Sequence, residues 1–390
     1  QLLLTQALIL EELEQRDEAL AKLKQLFALE PYQNQATLLE AKLLLEKGYK
    51  KPFARLEKTL ERSPEDHRLR LQYARLLTRT DMQAAKEQFE LLSEQSPRNA
   101  ELLLSLALIN RETGNNLDAK AYLRQMLKLE QEIDQAHYYL GRIAEEEEDF
   151  EGAVYEYMQV GESKDFLSAT NRAGRILFDG SDVQEGNEYF DKVRNEYPAL
   201  AEQLYSMQSD LLIRAEKLEA AMAVLQQGLE EIPESAALRY ARSMLGERTG
   251  DLALMEQDLR AIISQNPDNA TALNALGYTL ANTTDRYDEA HELIARALEL
   301  QPNEAAILDS MGWVLYHQGR YDEAITYLRR AYEQFPDAEV AAHLGEVLWV
   351  AGKPDAARLV WQEALTKTPE HEVLVKTLQR LGVDKMESPS

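Results

Sequence analysis

The sequence predicts an all-α solenoid of about eleven helix–turn–helix repeats, closed by one further helix at its carboxyl end. Three observations carry that expectation: a helix-favouring composition, prolines at a nearly constant interval, and small side chains recurring at fixed places between them. Ala, Leu, Glu, Gln, Lys and Arg dominate the 390 residues, against 17 Gly and 12 Pro. These side chains lose little rotamer freedom in a helix. Long runs of Val, Ile and Thr are missing, so no strand is expected.

The prolines set the period. Pro31, Pro64, Pro97, Pro198, Pro233, Pro267, Pro302, Pro336 and Pro369 are spaced by 33, 33, 101, 35, 34, 35, 34 and 33 residues. The long gap holds three periods, with the proline replaced at two places, near Gln131 and Asp165. Proline cannot continue a helix, so it closes the second helix of each unit. Repeats are therefore expected over 1–370, starting near 1, 34, 67, 100, 134, 167, 202, 235, 270, 305 and 338. Val373, Leu374, Leu378 and Leu381 at helical spacing predict a capping helix over 371–383, and 384–390 is expected to be a disordered tail. A solenoid needs such a cap because its last repeat otherwise exposes an apolar face.

The best units show how each pair is built. Leu308, Met311, Gly312 and Leu315 lie on one first helix, with Ala324, Leu328 and Ala331 on the second. Leu273, Leu276, Gly277 and Leu280 are followed by Ala290, Ile294 and Ala297, and Ala341, Leu344, Gly345 and Leu348 by Ala357, Trp361 and Ala364. The small residues recur where two helices cross closely, and the large ones fill the layer between neighbouring pairs. Gly48, Gly114, Gly319 and Gly352 stand where a first helix must end in a left-handed turn. Weaker units keep the pattern, as in Gly141, Ala153, Tyr157 and Val160.

This order of small and large positions, the 34-residue period and the closing proline resemble tetratricopeptide repeats over almost the whole chain. The resemblance implies a right-handed superhelix whose first helices line a concave groove for protein partners. Positions between the packing residues are then groove candidates: Asn274, Tyr278, Asn282, Asp309, Trp313, Tyr316, His317, Glu346 and Trp349 in the last units. Earlier candidates are Tyr138, Arg142, Asn171, Arg175, Asp210, Arg214 and Arg239. Tryptophan and tyrosine are enriched at binding hot spots, but Trp313 and Trp349 equally suit packing against an adjoining helix, and periodicity does not separate the two. The Lys/Asn clamp of the chaperone-tail-binding subset is missing, so that ligand is not expected.

The formal charge is −25, from 68 acidic and 43 basic residues, which disfavours nucleic acid and anionic lipid surfaces as partners. Lys42 to Arg79 departs from this average, with eleven Lys/Arg against five Asp/Glu. It reads either as a solvated basic face or as a docking patch for an acidic partner, with Arg68, Arg75 and Arg79 as its candidates. The run Glu145-Glu146-Glu147-Glu148-Asp149 is expected to be a solvated turn.

No cysteine is present, which excludes disulfides, thiolate metal sites and cysteine nucleophiles; it fits an exported bacterial protein, and chance nearly as well. No apolar run approaches the roughly 20 residues that span a bilayer. The chain opens at Gln1-Leu2-Leu3-Leu4, already inside a helical pattern, so a processed product with an upstream targeting segment or lipid anchor is expected. Six scattered histidines form no zinc-binding pair, and neither a phosphate-cradling glycine loop nor a serine nucleophile elbow occurs. The expectation is a protein-binding scaffold and not an enzyme, with no cofactor and no metal.

As a whole the sequence resembles the tetratricopeptide outer-membrane lipoproteins of Pseudomonas and related bacteria, among them the adaptors of a periplasmic carboxyl-terminal processing protease. That resemblance implies the periplasmic side of the outer membrane, an upstream lipidated cysteine, and presentation of peptidoglycan hydrolases to the protease. Two other readings stay open: a structural scaffold of an envelope or exopolysaccharide secretion complex, and a cytoplasmic assembly chaperone.

Overall fold

In the computed structural model, residues 1–180 and 183–383 are described, and the expected tail over 384–390 lies outside them. The described residues fold into 23 α-helices and one 3₁₀ turn, with no strand. Contacts divide the chain into two compact units, Gln1–Asp182 and Val183–Ser390.

The first unit holds α1 (Leu2–Glu12), α2 (Arg16–Phe27), α3 (Asn34–Glu46), α4 (Ala54–Arg62), α5 (His67–Leu77), α6 (Met82–Gln95), α7 (Ala100–Glu112), α8 (Asn116–Lys128), α9 (Ile133–Glu146), α10 (Phe150–Tyr157) and α11 (Phe166–Asp179). The second begins with α12 (Gln184–Glu196) and the 3₁₀ turn Pro198–Leu200. Five antiparallel pairs follow: α13 (Ala201–Arg214) with α14 (Leu218–Glu231), α15 (Ala236–Thr249) with α16 (Leu252–Gln265), α17 (Ala270–Thr283) with α18 (Tyr287–Leu300), α19 (Ala305–His317) with α20 (Tyr321–Gln334), and α21 (Ala338–Val350) with α22 (Pro354–Lys367). The last helix, α23 (Glu372–Arg380), packs on α21 and buries Leu374.

Close approach within each pair depends on the small residues. A Cβ at Gly277 would stand 2.6 Å from Ile294 Cγ1, and one at Gly141 2.7 Å from the Tyr157 ring. At Gly345 it would run into the fully buried Trp361 indole. The second helices answer with alanines, Ala290, Ala324 and Ala357, all without exposed surface. Interior density of this kind leaves no room for an added methyl group.

The turns follow one hydrogen-bond scheme. At Gly319 (φ +76°) the amide reaches back to Tyr316 O at 2.9 Å and the Arg320 amide to Leu315 O at 2.9 Å, satisfying the last carbonyls of the helix. Gly48, Gly114, Gly250 and Gly352 repeat it with φ between +71° and +82°. Glu14, Glu148 and Glu216 take the same left-handed place at φ +58°, +62° and +57°. No glycine marks these three turns in the sequence, and a side chain is held there against its preference.

Candidate partner-binding surfaces

In the first unit Tyr138 and Arg142 lie on α9 and Asn171 and Arg175 on α11, with Arg175 beside Glu145 of α9. This carboxylate accepts from the Tyr157 hydroxyl at 2.6 Å and from Arg172 Nη1 at 2.9 Å, and it pairs with Arg175. Burial pushes the Glu145 carboxyl up, but these donors outweigh it and hold the group below its ordinary range. Glu146 to Asp149 are exposed at the expected solvated turn, and the carboxylates of Glu146, Glu147 and Asp149 are nonetheless engaged. Glu146 pairs with Arg111 at 2.8 Å, Glu147 pairs with Lys120, and the Asp149 carboxylate caps α10 through the Gly152 amide at 3.0 Å. Most of the run is bound because the preceding repeat presents Arg111 and Lys120 beside it. Tyr138, expected in the groove, is buried and shares a 3.1 Å hydrogen bond with Ser168.

The basic stretch is also more paired than its composition implies. Lys42 meets Glu11, Lys47 meets Asp17 at 2.8 Å, Arg55 meets Glu40 at 2.9 Å, and Arg75 meets Glu101. The Arg55 and Arg62 guanidinium groups also lie over the Phe27 and Tyr32 rings, at 4.1 and 3.8 Å from the centroids. Arg68 and Arg79 are exposed and make no ion pair among the described residues, as do Lys50, Lys51 and Lys58.

In the second unit the tryptophan question resolves by packing. Trp313 is 7% exposed; it stacks on His343 with centroids 4.2 Å apart and meets His317 edge-on at 4.9 Å. It follows Gly312 on the side of α19 that faces α21, and the next helix covers it, so it is a packing residue and not a groove residue. Trp349 is half-buried, tilted 5.9 Å from Trp361, with Arg358 5.5 Å above its ring. His317 is half-buried in the same cluster, stacked 5.1 Å from Tyr287.

Charged groups lie inside this packing. His343 Nδ1 stands 2.9 Å from Asp309 Oδ2, with both residues buried. Burial lowers the His343 pKa, but Asp309, Glu339 and Glu346 outweigh it and the net shift is upward. Glu346, 2% exposed, accepts from the Tyr316 hydroxyl at 3.1 Å and pairs with Arg380 of α23. Burial and Glu346 push the Tyr316 phenol up to about 12. Sequence reasoning missed the buried pair of Arg242 and Asp258, which face each other through two 2.7 Å hydrogen bonds. Arg239, a groove candidate, lies half-buried beside them with Nη1 3.8 Å from Asp258, and donates to Pro233 O at 2.6 Å.

What remains open on the first helices of this unit is a groove of about 620 Å³ across α15, α17, α19 and α21. Asn274, Tyr278 and Asp309 from the sequence reading line it, and so do Tyr240, Met244 and Phe335, which that reading did not single out. Phe335 is 60% exposed. Its signal in the sequence was its place just before a repeat-closing proline, where the chain leaves α20.

The family comparison agrees with this architecture. The tetratricopeptide-repeat family model matches residues 111–165, 256–305, 283–339 and 310–372. A TPR repeat-containing protein of Pseudomonas aeruginosa is 45% identical over 249 residues, covering 64% of this chain and 42% of that protein. The chain thus spans less than half of that relative's length. Among solved structures, a thermophilic TPR protein of Thermus thermophilus aligns with TM-score 0.42 and 20% identity, over 47% of this chain and 100% of its own. MamA of Desulfovibrio magneticus aligns with TM-score 0.38 and 15% identity, over 44% and 97% respectively. No helix among the described residues is long and apolar enough to cross a membrane. Helix pairs nested on glycine and alanine at a period near 34 residues give the chain the tetratricopeptide-repeat fold, and the family's model matches it over 111–165 and 256–372.

Proposed function

We propose that the chain is a non-catalytic adaptor on the periplasmic side of the bacterial outer membrane. It would bind a carboxyl-terminal processing protease and present peptidoglycan hydrolases to it. The coarser part, a scaffold for protein partners, follows from the repeat fold. The observation that supports the adaptor reading is the presence of two chemically different surfaces. The first unit carries unpaired cations at Lys50, Lys51, Lys58, Arg68 and Arg79, and the second an open aromatic groove. Two such surfaces allow two partners to be held at once, and an encounter on one scaffold proceeds at an effective concentration in the millimolar range. An interface of about 800 Å² per partner is already specific.

The test is reconstitution. Adding the chain to a purified carboxyl-terminal processing protease and a peptidoglycan hydrolase is expected to accelerate hydrolase cleavage at sub-saturating concentrations. Reversing Arg68, Arg75 and Arg79 to glutamate is expected to weaken one partner and flatten its salt dependence. Cleavage at the same rate with and without the chain would defeat the adaptor reading, and capture of secretion-complex components instead would favour the structural-scaffold alternative.

A further inference from the structure

The groove of the second unit has a composition unlike the rest of the molecule. Its walls carry the carboxylates of Glu247, Glu304, Asp309, Asp337 and Glu339, and among the described residues no Lys or Arg lines it. Elsewhere in this unit acidic side chains are matched by cations one repeat away: Glu256 with Arg286 at 3.0 Å, Asp268 with Arg296 at 2.6 Å, and Asp322 with Lys353 at 3.0 Å. Among the described residues, Asp309 is the one groove carboxylate that meets a basic group, His343 behind it. Three others accept from neutral donors: Glu339 from the Tyr278 hydroxyl at 3.2 Å, Glu247 from the Thr279 hydroxyl at 3.4 Å and Asp337 from the Glu339 amide at 2.8 Å.

The field this creates registers on Tyr278. Burial first, and then Glu339 and Asp309, raise its phenol far above the ordinary range. Between the carboxylates lie flat and apolar surfaces: Tyr240, Met244 and the exposed Phe335. Asn274 Oδ1 is buried in the lining with no hydrogen-bond partner among the described residues, an acceptor open to an N–H group from a ligand. No group of three or more His, Asp or Glu among the described residues is placed to hold a metal ion, so the carboxylates are too dispersed for a bare cation.

We infer that this groove binds an extended polypeptide segment carrying lysine or arginine beside an apolar side chain, the cation held between Glu247, Glu304 and Glu339 and the apolar group against Phe335 and Tyr240. A concave, partly apolar site with a few polar groups is the usual form of a specific pocket, and 620 Å³ is within its usual size. Cations over tyrosine and phenylalanine faces gain from the ring quadrupole as well as from the carboxylates. The inference rests on the scaffold reading above and adds the chemistry of the segment recognised.

The experiment is fluorescence anisotropy with the full chain and three labelled, end-capped nonapeptides of one alanine–leucine frame, bearing two lysines, two glutamines or two glutamates. The lysine peptide is expected to bind about tenfold tighter than the glutamine peptide and the glutamate peptide most weakly of all, with the lysine preference shrinking as salt shortens the Debye length from about 10 Å to about 3 Å. In the variant Glu247→Gln/Glu304→Gln/Glu339→Gln, which keeps an acceptor for Tyr278, lysine-peptide affinity is expected to fall about tenfold, the sum of three partly exposed ion pairs. A control variant, Glu12→Gln/Glu94→Gln/Glu370→Gln, removes the same charge at exposed positions outside the groove and is expected to leave affinity unchanged. Equal binding of lysine and glutamine peptides, equal losses in the two variants, or no binding by a chain that melts normally would each overturn the inference. Loss of the lysine preference with protease stimulation intact would leave the adaptor reading standing; the reverse result would leave the groove and remove the protease.

Discussion

Gly312→Ala tests whether the helix pairs are held together by the absence of a side chain. Two effects oppose each other. Alanine in a helix interior is better than glycine by about 0.8–1.0 kcal/mol. Against this, the new Cβ would run into Leu328 Cγ and stand 3.0 Å from both Leu328 Cδ2 and the Ala324 carbonyl oxygen. Leu328 is fully buried and the carbonyl belongs to the backbone of α20, so neither can swing aside. Overpacking of this kind costs about 1–3 kcal/mol, which leaves a net loss of about 1 kcal/mol. Repeat arrays need not unfold in one step, so the assay is amide hydrogen exchange of α19 and α20, read against the first unit. Exchange there should quicken about fivefold. In a Leu328→Ala background the same substitution should cost at least about 0.5 kcal/mol less, since the clashing atoms are gone. Slower exchange in Gly312→Ala, the outcome helix propensity alone gives, would refute the packing argument.

The left-handed glutamates offer the opposite sign: Glu14→Gly and Glu148→Gly should each stabilise by about 0.5 kcal/mol, because relief of a left-handed side chain outweighs the added freedom of the unfolded glycine. A lowered melting temperature in either would contradict the turn geometry. For pH, His343 is raised in the fold by Asp309, Glu339 and Glu346, so its contribution is full below the unfolded pKa near 6.5 and is lost as pH rises through the folded value. His317 runs the other way: burial lowers its pKa, so stability present above the unfolded value near 6.5 is lost as pH falls below it. The stability difference between the native chain and His343→Gln should therefore shrink as pH rises from 5.5 to 8.5, and a flat difference across that range would rule the pair out as a titrating unit.

Much of the fold was legible because it is local and repeated. The glycines at 277, 312 and 345, read as crossing points, each face a large side chain of the second helix, at Ile294, Leu328 and Trp361. The glycines at 48, 114, 319 and 352, read as helix ends, have left-handed backbones. The partner surface was legible only in part. Asn274, Tyr278 and Asp309 do line the groove, whereas Trp313 and Tyr138 are buried. Periodicity gives the angle of a residue around its own helix and says nothing of how far the neighbouring helix extends over it.

What the sequence by itself determined is the helix, the repeat period, the glycine-marked turns and the pairing partner, since these depend on propensity, on proline and glycine, and on small residues within about 35 positions. What only the tertiary structure decided is which charges are spent and which are free. Lys42 finds Glu11, Arg75 finds Glu101 and Arg111 finds Glu146 across a stacking interface about one repeat away, while Glu304 and Glu247 meet no cation among the described residues. A composition window counts these groups alike. Coulomb interaction depends on distance in space, and that distance is set when one helix pair settles on the next.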